Sequence, residues 1–284
     1  STSNISTINF TGSGKTFTRS AGTLTNTNIN WTIADGASLT LINDLPVATN
    51  RSLTVGGGTS GIIDCSSLAV SGAGTFTLSA GATLKTSNAT GVAGSITTTT
   101  KSFSSAANYE FNGAATGTFT TTPTASTVNN LTINRSAGVA LSQSLAVAGT
   151  LTQTSGKLAI GAYTLTLNGA YSGSATNSLT GGSTSNLTTI GTTGTLYFDQ
   201  ATPGTTNVLK NLTLNSGSTT LGNALNITAG STSGTVTVGS GATITTGGNL
   251  TLKSDADGTA RVGNSAGTIT GNVTVERYLP AKRA

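Results

Sequence analysis

The phrase Val208-Leu-Lys-Asn-Leu-Thr-Leu-Asn215 restates Thr127-Val-Asn-Asn-Leu-Thr-Ile-Asn134, with Asn211 standing where Asn130 stands in the earlier copy. In both, apolar side chains occupy alternate positions: Leu212 with Leu214, and Leu131 with Ile133. Successive side chains of a strand point to opposite faces, so this period of two puts both apolar groups on one side and the threonine on the other. The same triplet runs through the chain as Leu39-Thr-Leu41, Leu53-Thr-Val55, Leu68-Ala-Val70, Phe76-Thr-Leu78, Leu145-Ala-Val147, Leu165-Thr-Leu167, Val236-Thr-Val238, Leu250-Thr-Leu252 and Val273-Thr-Val275. Gly, Asn and Ser between the triplets accept the backbone angles of tight turns. Threonine suits the outer face, being β-branched and able to hydrogen-bond water. No stretch carries a convincing helical period.

The inward pairs recur at short intervals, as from Leu39 to Leu53 and from Leu68 to Phe76, with few inward positions each. Sandwich strands run about 5–6 residues between regularly spaced turns. The shorter strands and more frequent turns predict an all-β fold, a right-handed parallel β-helix (β-solenoid) whose coils are each two or three short strands joined by bends. At roughly 20–25 residues per coil the chain makes on the order of 12 coils, about 60 Å of stack at ~4.8 Å each.

Composition agrees. Charged residues are 7% of the 284 and there is no histidine, against roughly a quarter charged in an ordinary soluble domain. The hydrophobic share of 35% is low, but the abundance of Thr, Val and Ile and the regular recurrence of apolar residues argue against disorder. A solenoid needs only a narrow core, because each coil contributes few inward side chains. Stacking would set like charges above one another, whereas Asn and Thr can form hydrogen-bonded ladders between coils.

The net charge of +5 is dispersed, and only Arg277, Lys282 and Arg283 have any density. No basic stripe with stacking aromatics is present, so nucleic acid is not expected as a partner. No run approaches the ~18 apolar residues of a membrane span, so membrane insertion is not expected. Cys65 is the single cysteine. It has no histidine to activate it and reads as a small buried apolar group. Both ends read as cuts in a longer protein, and the missing signal peptide carries no weight.

The whole chain, 1–284, reads as one continuous solenoid. Two internal copies span about 103–185 and 190–270, and a looser version of the same texture covers 1–100. Leu145-Ala-Val147 corresponds to Leu225-Asn-Ile227, Leu158-Ala-Ile160 to Val236-Thr-Val238, and Leu165-Thr-Leu167 to Leu250-Thr-Leu252. Tyr109-Glu-Phe111 and Tyr197-Phe-Asp199 are comparable aromatic strands, each ahead of a proline loop at Pro123 or Pro203.

The repeated phrases, together with Gly194-Thr-Leu-Tyr-Phe-Asp-Gln200, Asn249-Leu-Thr-Leu-Lys-Ser-Asp255 and Gly271-Asn-Val-Thr-Val-Glu-Arg-Tyr-Leu-Pro280, resemble the repetitive β-solenoid regions of very large secreted, adhesin-like surface proteins of the Bacteroidota. The resemblance covers most of 100–284. It implies an exported, cell-surface protein, of a kind that carries a C-terminal sorting domain for type IX secretion. It brings no catalytic residue with it, and the sorting domain is not among these residues.

Few groups could carry chemistry. Asp255 and Asp257, in Ser-Asp-Ala-Asp-Gly, are the best acidic pair; Ca²⁺ would need further oxygen ligands, and a solvated turn is the plainer reading. A glycosidase needs two carboxylates at a fixed distance. Here eight are scattered, and Asp64, Glu110 or Asp199 would have to meet a Lys or Arg across coils. Gly12-Ser-Gly-Lys15-Thr16 lacks the spacing of a phosphate loop. Trp31, Tyr109 and Tyr197 are candidates for a sugar-stacking platform, with core packing as the alternative. The threonine runs at 97–100, 120–122 and 243–246 look irregular, as outer-face β-propensity would leave them. The expected function is that of a non-enzymatic extracellular structural or adhesive repeat segment, a rigid rod or filament subunit without cofactors. Its expected partners are further copies, in fibres, or a surface polysaccharide. The alternatives are a polysaccharide-binding module and a β-helix carbohydrate-active enzyme.

Overall fold

Backbone N–H and C=O groups of a strand must be paired with those of another strand. Here they find those partners one coil away. A computed structural model of the chain describes residues 4–22, 24, 27–114, 117–119, 126–231 and 234–280, with the backbone alone for 117–119. Among the described residues it is all-β apart from one helical turn, its sheets are parallel ladders except for one two-stranded antiparallel pair, and it forms a β-solenoid of about 11 turns. The chain divides into two compact units, Ser1–Val139 and Ala140–Ala284. The division falls inside the first sequence repeat.

In the first unit one face is the ladder Ser6–Phe10, Ile29–Ile33, Ser52–Val55, Thr75–Leu78 and Thr100–Phe103. A second face carries Lys15–Phe17, Ser38–Leu41, Ile62–Asp64, Thr83–Thr86, Asn108–Gly113 and Leu131–Arg135. A third carries Leu45–Pro46 and Val70–Ser71, with Ile96 bridging to Val70. Parallel pairing in register stacks like on like. Trp31, Leu53 and Phe76 form one inward column, and Ile33, Val55 and Leu78 the next; none of the six is more than 4% exposed.

In the second unit one face is Leu145–Val147, Thr164–Leu167, Asn186–Ile190, the start of Asn211–Leu221, Thr235–Val238 and Arg261–Val262. The long strand Asn211–Leu221 turns a corner within itself. Asn211 to Leu214 pair with Thr235–Val238, and Gly217 to Thr220 pair with Ala242–Thr245 on the next face. Gly217 makes the corner: its φ is +72°, and a Cβ there would lie 2.1 Å from the carbonyl carbon of Gly191 one coil below. The third face holds Val208–Leu209, Leu225–Ile227, Leu250–Leu252 and Val273–Val275.

Leu145 and Leu165 share a ladder on one face, while their sequence counterparts Leu225 and Leu250 share a ladder on another. The spacing between the sequence copies is therefore not a whole number of coils. Coil length itself varies, being short from Leu145 to its partner Leu165 and longer from Thr235 to its partner Arg261.

One local expectation fails, and one helical turn interrupts the strands. Leu68-Ala-Val70 is not one strand: the Leu68 amide donates to Cys65 O at 2.8 Å in a turn, and the strand is Val70–Ser71. A helical turn forms at Val92–Ser95, where Gly91 with φ +62° starts it and Ile96 returns to extended backbone. A single turn is too short to show a helical period in sequence.

Two stability measurements test this packing. Phe76→Ala removes a fully buried ring set 5.8 Å from that of Phe103 and is expected to cost about 3–5 kcal/mol in chemical denaturation. Gly217→Ala is expected to lower the melting temperature well beyond Gly36→Ala. Gly36 has a similar φ, +75°, but open space around its Cβ position, so its cost is the conformational one alone, about 1–2 kcal/mol.

Candidate functional site

Several ionisable side chains are paired with one another between coils or closed onto backbone amides within turns. Asp64, Lys85 and Glu110 occupy the same register position on three successive strands, pointing outward. Lys85 Nζ lies 2.9 Å from Glu110 Oε2, and Asp64 Oδ1 accepts the Ser66 amide at 2.8 Å. The signs alternate along the row, so stacking joins opposite charges here. Lys157 Nζ reaches Asp199 Oδ1 at 2.7 Å, far along the chain. Lys253 pairs with Glu276 across one coil. Asp35 Oδ1 accepts amide hydrogens from Gly57 at 2.7 Å and Ser60 at 3.0 Å; the Ser60 and Gly57 amides hold its carboxyl below the ordinary range.

Asp199 is the buried member, its side chain 7% exposed. Burial alone pushes its carboxyl up. The Lys157 hydrogen bond and charge, the Ala201 amide at 2.8 Å and the Thr180 hydroxyl outweigh that and hold it below its usual value. Cys65 is fully buried; burial first, then the neighbouring Asp64 charge, push its thiol up while Ser95 opposes them.

The aromatic candidates are in the packing. Trp31 is 4% exposed, stacked on Phe10 at 6.2 Å and edge-on to Phe17 at 5.7 Å. Tyr109 is 1% exposed and 6.5 Å from Phe103. Tyr197 is half-buried against the next coil, where a Cβ on Gly222 would come within 2.4 Å of its Cε1. The first two offer no ring face to a sugar, which corrects the stacking-platform expectation at Trp31 and Tyr109. Asp255 Oδ1 accepts the amides of Asp257 (2.9 Å) and Gly258 (3.0 Å) and closes the antiparallel turn between Ser254–Asp255 and Gly258–Thr259. Among the described residues no three His, Cys, Asp or Glu side chains gather to hold a metal.

Sequence reading missed three features. Arg135 is fully buried at a third inward position of its strand. Its Nη2 donates to Ser87 O at 2.7 Å and Asn88 O at 3.0 Å, and burial weakens its hold on the proton. Only its place at the end of Asn130-Leu-Thr-Ile-Asn-Arg135, two after Ile133, signals an inward side chain. Secondly, residues scattered through the sequence fall into ranks. Thr164, Asn186, Asn211 and Thr235 form one outward rank, and Thr166, Thr188, Thr213 and Thr237 its neighbour. Asn211 Nδ2 donates to Asn186 Oδ1 at 2.8 Å, an inter-coil amide ladder of the kind expected. Residues 120–122, Pro123, Lys282 and Arg283 lie outside the described residues.

The third feature is a groove in the second unit with a volume of about 460 Å³, lined by residues 181–184, 204–206, 208 and 228. The chain between Phe198 and Val208 builds one wall. Asn207, 2% exposed, accepts the Gly204 amide at 2.7 Å and donates to Gln200 Oε1 and Ala224 O. The Thr206 hydroxyl donates to Asp199 O at 2.8 Å. Buried polar groups thus fix the loop that shapes the groove.

No known family matches the chain, and neither a curated protein nor a solved structure matches it. Among the described residues no helix is long and apolar enough to cross a membrane.

Asp199 predicts a pH dependence. A carboxyl held low in the fold stabilises it at neutral pH, and that contribution disappears as pH falls through the folded-state value. Thermal melts from pH 7 downward should therefore fall more steeply for the wild type than for Asp199→Asn. Lys85→Glu, which sets three carboxylates in a row, is expected to cost about 1 kcal/mol or less, shrinking in high salt.

Proposed function

We propose that this chain is a structural and adhesive repeat segment of an exported bacterial surface protein, acting through the stiffness of stacked coils and not through chemistry at a site. The observation that carries this reading is where the acids go. The carboxylates of Asp35, Asp44, Asp64, Glu110, Asp199, Asp255 and Glu276 are engaged in holding coils or turns together, which leaves only Asp257 of the chain's eight. Acid–base catalysis needs such groups held beside a substrate. Here they bond backbone amides of their own or other turns and lysines of other turns.

Supporting observations are the in-register amide ladders and the uncharged hydroxyl ranks that the outer faces present. A surface of this kind offers many weak hydrogen bonds to a partner. The resemblance to Bacteroidota surface repeats supports the cell-surface location and the route of export.

Electron microscopy of the protein from its native source tests the reading. Fibres, or rods protruding from the cell surface, that survive protease treatment are the expected result. A protein found only as a dispersed cytoplasmic species, digested as fast as an unfolded chain, would overturn it.

A further inference from the structure

We infer that the groove of the second unit is a subsite for one pyranose residue of a neutral polysaccharide. This rests on the adhesive half of the reading above and names what would be adhered to.

The argument is one of size, charge and free hydrogen-bonding groups. At about 460 Å³ the groove falls within the ~300–1,000 Å³ of small-molecule sites. No charged side chain lines it, and the nearby ionic pair, Lys157 with Asp199, is closed on itself. An anionic sugar would find no counter-charge there, whereas a neutral one loses nothing. Ser183, Thr184 and Thr205 are exposed on its walls, and within the described residues their hydroxyls make no hydrogen bond to the chain. Val208, 5% exposed, supplies a small apolar floor for the C–H face of a ring. The glycines at 181, 182 and 204 leave room at the walls. Gly181 is obligatory for packing, since a Cβ would lie 2.0 Å from Val208 O. Gly182 is not: a Cβ there would meet only Ser185 Oγ, at 3.7 Å. The network under Asn207 and Thr206 holds the loop wall before any ligand arrives, which lowers the ordering cost of binding. The groove also adjoins the outward ranks: Asn186, a member of one rank between Thr164 and Asn211, donates from Nδ2 to Thr184 O at 3.3 Å.

Affinity electrophoresis of the full chain tests this, in gels containing dextran, hydroxyethyl cellulose or galactomannan, with polygalacturonate as the charged control. The expected result is retardation by at least one neutral polymer; the chain's net charge of +5 gives polygalacturonate a non-specific ionic retardation that the groove variants leave unchanged. Gly182→Leu, which fills the groove without backbone strain, is expected to abolish retardation by the neutral polymer. Ser183→Ala with Thr205→Ala leaves the backbone untouched and should weaken it about fivefold or more, the worth of one hydrogen bond or two. Both variants should melt as the wild type does. Migration unchanged in all three neutral gels, or retardation in them indifferent to both variants, would overturn the subsite. Protease-resistant rods from the native source would survive any of those outcomes, so the structural role stands or falls separately.

Discussion

Parallel pairing between successive coils is the constraint on which everything else in this molecule depends. Each short strand satisfies its backbone groups on the matching strand of the next coil, as Leu145–Val147 does on Thr164–Leu167, and register then fixes which side chain stacks on which. A single inward position becomes a column, so Trp31, Leu53 and Phe76 must fit one above another. A single outward position becomes a rank, so a charge is tolerated beside its opposite, as along Asp64, Lys85 and Glu110. The scarcity of charge, the abundance of threonine and the glycine corners follow from this repetition. Where the chain bends between faces it passes so close to the coil below that a side chain at Gly217 has no room.

The sequence revealed what is local and hid what is not. Period-two triplets such as Leu53-Thr-Val55 and Leu165-Thr-Leu167 are inward pairs as read, because the pleat alone decides them. Asn130 and Asn211 sit in strand starts where inter-coil amide ladders form, as expected of stacked coils. The partners of those strands were illegible, because coil length varies with each corner insertion and no local signal counts residues per turn. That is why the threonines at 166, 188, 213 and 237 look scattered in sequence and form a line in the fold. It is also why Leu145 with Leu165, and their repeat counterparts Leu225 with Leu250, fall on different faces.

The polar features that matter most were hidden for a related reason. Arg135, charged and so expected at the surface, occupies an inward site because two carbonyls of another coil, at Ser87 and Asn88, meet its guanidinium there. Asp199 pairs with Lys157, a lysine distant in sequence. The groove depends on a loop organised by Asn207, whose partners lie on both sides of it in sequence. Each is a property of juxtaposed coils. Under the proposed function such a chain contributes stiffness, and its outer ranks are made of the uncharged groups that stacking permits.

Residue-resolved amide hydrogen exchange of the intact chain tests the central claim, that inter-coil pairing holds the structure, most directly. Amides of inner strands paired on both sides, such as Leu53 and Leu187, should exchange slowest, and those of Ser6–Phe10 and Val273–Val275 markedly faster. Uniformly fast exchange, or protection that follows sequence neighbours and ignores the coil-to-coil register, would contradict the account.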